Sequence, residues 1–145
     1  MLTIKNPLKY IEIIEHENHF YEFIFKVGNR VALQELFIYI EQIYQLPPEA
    51  RVKIILDTTK TSAPPLVHGF RLMQDVVRKY PKRPDPMRVV FLDNEKQIPM
   101  QRVMQTFIQL LNTNAHTIHL YGDKRDEAIN FLFKEEPQNH PNHLK

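Results

Sequence analysis

The residues with the most chemical capacity lie together in IILDTTKTSAPPLVHGF, Ile54 to Phe70. An apolar run ends in Asp57. Thr58, Thr59, Thr61 and Ser62 follow, and then Pro64 and Pro65. A hydroxyl just ahead of a helix is well placed to accept a phosphoryl group, because the free amides and the helix dipole favour negative charge there. The same position makes serine a good helix cap, worth about 1 kcal/mol. The prolines suit a rigid first turn, but they also remove amides that could hold a phosphate. Ser62 is therefore expected to be a cap first and an acceptor second.

Asp57, Asp93 and Asp123 each end an apolar run or sit just beyond one. In a parallel sheet, ligands bind outside the carboxyl ends of the strands. Carboxylates gathered there could hold magnesium for phosphoryl chemistry. A phosphatase-type aspartate needs an acidic partner two residues on, and Thr59 stands at that position. Aspartates after strands also serve as caps and turn formers. The histidines fall in pairs three apart, His16/His19, His116/His119 and His140/His143, with His68 alone. On a strand, positions three apart face opposite sides, so His116 and His119 are not expected to share an ion. His68 could act as a base, but no Gly-x-Ser-x-Gly elbow accompanies it. Gly28, Gly69 and Gly122 are isolated, which excludes a dinucleotide fingerprint or a P-loop. No catalytic residue, metal site or cofactor is expected, and the chain is read as no enzyme. A basic run, Arg71, Arg78, Lys79, Lys82, Arg83 and Arg88, could face an acidic partner or anionic lipid, or simply be a solvated helix face. Only Tyr80 among it could stack on a base, so nucleic acid is not expected.

The elements that would position these residues follow from periodicity. Leu8–Glu15 is rich in β-branched residues. In His19–Val27, Tyr21, Phe23, Phe25 and Val27 alternate with Glu22, Ile24 and Lys26. That alternation predicts a strand with one face more buried than the other. HENH between the two runs suits a hairpin. Asn29 can cap a helix marked by Leu33, Leu36, Phe37, Ile40 and Tyr44, which Pro47-Pro48 ends. Val52–Leu56 and Arg88–Leu92 are short apolar runs of the kind found in strands covered on both faces, and Thr117–Tyr121 is the last strand. A second helix is predicted from near Pro64, with Val67, Phe70, Met73, Val77 and Tyr80 as its buried stripe. A third carries Met100, Val103, Met104, Phe107 and Leu111. Asp123 and Asp126 are spaced to cap the last helix, which carries Ala128, Ile129, Leu132 and Phe133. The order ββαβαβαβα predicts an α/β fold: a mixed sheet of about five strands flanked by about four helices. The N-terminal hairpin should be antiparallel and the remaining strands parallel. Residues 1–134 read as one domain, and 135–145 as a flexible tail.

The chain has 145 residues, 43% of them apolar and 25% charged, with a net charge of +2 and no cysteine. These values fit a soluble globular domain and exclude disulfides and thiolate sites. No basic region followed by an apolar core opens the chain, and no apolar run spans a bilayer. A cytoplasmic location without membrane insertion is expected.

The order of elements resembles the STAS fold of sulfate transporters and bacterial anti-sigma factor antagonists. Two local features carry the resemblance. Leu56-Asp57 ends a strand and is followed by a hydroxyl-rich loop before a helix. IHLYGDKRDEAINFL, Ile118 to Leu132, is similar to the last strand and helix of that family. Regulatory members carry an Asp-Ser-Ser-Gly-like motif whose serine is phosphorylated by a partner kinase. Here the stretch reads Thr61-Ser62-Ala63-Pro64, so Ser62 matches the acceptor while the aspartate and glycine are missing. The resemblance implies a divergent, non-enzymatic module in bacterial regulation, binding another protein through Asp57, Thr58, Thr59, Thr61 and Ser62. Two alternatives stay open: a small enzyme or phosphoryl acceptor using the acidic strand ends with magnesium, and a carrier of lipid or another small apolar ligand. The partner, the pathway and the oligomeric state are left open.

Overall fold

The computed structural model describes residues 2–4, 9–62, 64–84, 87–94, 106 and 115–134. Five strands form one sheet in the order β1-β2-β3-β4-β5. They are β1 (Ile11–His16), β2 (Phe20–Phe25), β3 (Val52–Asp57), β4 (Met87–Asp93) and β5 (Ala115–Tyr121). β1 pairs antiparallel with β2, and every later pairing is parallel. The described helices are α1 (Arg30–Tyr44), α2 (Leu66–Lys79) and α3 (Arg125–Phe133). The protein is therefore α/β with a mixed sheet, as the alternation of elements predicts. The expected helical stripe from Met100 to Leu111 and the tail from Glu135 lie outside the described residues.

The hairpin turns without an Asn-Gly pair because Asn18 and His19 both adopt positive φ, 59° and 57°. Asparagine and histidine are among the side chains that tolerate this region best. Asn29 caps α1 as expected, its Oδ1 accepting the Ala32 amide at 2.9 Å.

Period-two alternation sends Tyr21, Phe23 and Phe25 to one face of the sheet. There they join Ile54, Val89 and Phe91, under α1 and α2. The opposite face gathers Phe20, Ile55, Val90 and Leu92 against Ala128 and Leu132 of α3. Helices thus cover both faces, and β2 is buried on both, not mainly on one. Glu22, expected on the less buried face, is only 2% exposed.

Two helix starts differ from expectation. The N-cap of α2 is Pro65, with no side-chain capping bond, so Ser62 lies too far upstream to cap it. The N-cap of α3 is Lys124, again without a side-chain bond, so Asp123 does not cap. The predicted stripe of α2 holds at Met73, Val77 and Tyr80, which pack on the core, but not at Val67. Val76 is the buried residue of this helix, with Leu72, Met73, Val77 and Tyr80 partly buried, while Val67 is 63% exposed.

Candidate functional site

The loop after β3 is fixed by its own polar groups. Asp57 Oδ1 accepts the Thr59 amide at 2.8 Å and the Thr59 hydroxyl at 2.6 Å, an Asx turn. Thr61 donates its amide to the Thr58 carbonyl at 3.3 Å. Asn94, just past β4, donates Nδ2 to the Thr61 carbonyl at 3.2 Å. On the other side the loop meets Gly28. A Cβ on Gly28 would lie 2.0 Å from the Ser62 carbonyl oxygen, so only glycine fits. Between these anchors Lys60 and Ser62 are exposed, and Thr59 and Thr61 half-buried.

Beneath the loop runs a buried polar chain. Thr58 donates its hydroxyl to Asp93 Oδ1. The other Asp93 oxygen lies 3.2 Å from His119 Nδ1. The ring stacks on Phe91, centroids 4.6 Å apart. The side chains of Asp93 and His119 are 7% and 8% exposed. His119 Nε2 is buried without a hydrogen-bond partner among the described residues. Sequence reasoning placed His116 and His119 on opposite sides of a strand, and His116 is exposed. It did not bring Thr58, Asp93 and His119 together, because they come from three different strand ends.

The three aspartates do not converge. Asp57 shares its face of β3 with Ile55 and Lys53, toward α3, whereas Asp93 shares the opposite face with Phe91. Asp123 is exposed in the turn before α3. Among the described residues no group of three or more His, Asp or Glu side chains is placed to hold a metal ion. His140 and His143 lie outside them.

A second polar site escaped the sequence. Glu22 on β2 accepts from both guanidinium nitrogens of Arg125, Nη1 and Nη2, the latter at 2.8 Å. It also accepts from His16 Nε2 at 2.5 Å. Burial alone would raise the Glu22 pKa, but the bonds from Arg125 and His16 outweigh it and hold this carboxyl below its usual range. The only signal available in the sequence was an acidic residue inside an otherwise apolar strand.

Within the basic run, Lys79 pairs with Glu41, whose carboxylate also accepts from the Tyr80 hydroxyl at 2.8 Å. Arg71 and Arg78 are exposed along α2, Lys82 is exposed beyond its end, and Arg83 is half-buried. No described helix is long and apolar enough to cross a membrane.

Comparison with family models, curated proteins and solved structures finds no match for this chain.

Proposed function

We propose that this chain is a non-enzymatic, STAS-like protein-interaction module of bacterial regulation or signalling, working in the cytoplasm. Its contact surface is the loop Asp57–Ser62 with the start of α2. One observation carries this reading: the loop backbone is pinned by Asp57, Asn94 and Gly28 while Lys60 and Ser62 stay exposed, as does the apolar Val67 in the first turn of α2. A surface held in one shape before binding loses little conformational entropy on binding, which raises affinity. Ser62, exposed and matching the family's acceptor position, is the residue a partner kinase would modify. Added negative charge there would disfavour an acidic partner. The magnesium-using alternative has less support, because Asp57 and Asp93 leave the sheet on opposite faces.

The test is a pull-down from the source cell with wild type, Val67→Asp and Ser62→Asp, read by mass spectrometry. A protein should be captured by wild type and lost with Val67→Asp, while melting of the variant stays close to wild type. The reading fails if both capture the same proteins, or if purified protein turns over a phosphate ester with magnesium.

A further inference from the structure

The parallel strands bring together charges that are scattered in the sequence. Arg51 and Lys53 stand at the start of β3, and Arg88 at the start of β4. Arg78, Lys82 and Arg83 lie at the end of α2 and in the link to β4, which reaches the same end of the sheet. The end of α3 arrives there too, since Arg88 Nη1 donates to the Phe131 carbonyl at 2.9 Å and also to the Lys134 carbonyl. The described carboxylates at this end are Glu15, Glu17, Glu41 and Glu49, and Glu41 is neutralised by Lys79. The chain carries a net charge of only +2, yet among the described residues this one end holds a clear cationic excess. Lys53 reflects it: burial first, and then the positive neighbours Arg51 and Arg88, lower its pKa.

Phe133 is 45% exposed at this end. Lys53 Nζ lies 5.2 Å from its ring centroid, and Phe20 packs edge-on at 5.4 Å. Binding successive bases takes a row of open aromatic faces. Among the described residues here one Phe or Tyr ring is exposed, and it already has a cation over it and a ring against it. Dispersed long cationic side chains around a single apolar anchor match instead the requirements of a charged membrane interface. We propose that the end of the molecule formed by the starts of β3 and β4 and the ends of α2 and α3 docks onto an anionic phospholipid surface. This surface is separate from the Asp57–Ser62 loop, which lies at the carboxyl ends of the strands, so the same molecule could hold a partner while seated on lipid.

The experiment is sedimentation of the full chain with vesicles of phosphatidylcholine containing phosphatidylserine, and with phosphatidylcholine alone. Binding is expected only to the serine-containing vesicles. It should be lost at about 1 M salt, where the Debye length is about 3 Å. The double variant Arg51→Glu with Lys82→Glu should weaken binding about tenfold or more, with its melting curve checked for folding. Lys26→Glu with Lys124→Glu makes the same change in net charge with exposed residues at the opposite end, and should bind as wild type. Equal binding to both vesicle types, no binding to either, or equal loss in both double variants would overturn the proposal. So would salt-sensitive capture of a single-stranded oligonucleotide with no vesicle binding.

Discussion

Gly28 and Ser62 approach so closely through their main chains that a methyl group between them has no room. Gly28→Ala must therefore push the loop away, at about 1–3 kcal/mol, the usual range for overpacking. The check is the denaturant midpoint at unchanged slope; an unchanged midpoint would mean that the loop is not pinned there. Glu22 gives a prediction in pH. Its carboxyl has a lower pKa in the folded chain than in the unfolded one, so the unfolded state takes up the proton first as the solution is acidified. The stability it contributes is complete above the unfolded value of about 4.3. It is lost as pH falls through the lower folded value. Glu22→Gln is expected to cost about 1–3 kcal/mol at neutral pH. Melting curves of wild type and variant, measured from neutral pH downward, should draw together below about pH 4. A constant gap across that range would show that the charge on Glu22 does not matter.

At the scale of elements, the two long helices start differently. Asn29 bonds the Ala32 amide, whereas α2 begins at Leu66 behind Pro65 with no side-chain cap. Asn29→Ala should cost about 1 kcal/mol, and Ser62→Ala should change stability by less than about 0.5 kcal/mol. If denaturation shows equal losses, Ser62 caps α2 after all. Gly69 lies inside α2, where glycine loses more backbone freedom on folding than alanine does. A Cβ there would meet Leu33 Cδ1 of α1 at 3.5 Å, an ordinary contact. Gly69→Ala is thus expected to stabilise by about 0.5–1 kcal/mol. A fall in midpoint instead would mean that α1 and α2 are packed more closely than this distance indicates.

At the scale of the whole molecule, α3 is, among the described elements, what closes the second face of the sheet. It covers Phe20, Ile55, Val90 and Leu92 and supplies the guanidinium on Glu22. A chain ending at Lys124 should expose that apolar face and leave the carboxylate without its cation. It is expected to bind a hydrophobic dye and to lose its cooperative melting transition; a truncated chain that melts like the full one would show that the sheet is stable without α3. Most of the architecture was legible in the sequence. Apolar runs marked β3 and β4, alternation marked β2, and Leu33, Leu36, Phe37, Ile40 and Tyr44 marked the buried stripe of α1, all of them buried in the fold. These features depend on side-chain period and backbone preference, which neighbouring residues carry among themselves. The tertiary structure alone decided which polar groups are buried and what each one meets. Alternation placed Glu22 opposite Tyr21 and Phe23, but only the packing of α3 decided that its face would be covered. Its partner Arg125 lies 103 residues away. Thr58, Asp93 and His119 meet for the same reason, each at the end of a different strand. Removal from water and charge pairing act between groups that folding brings close, so the order of residues along the chain does not record them.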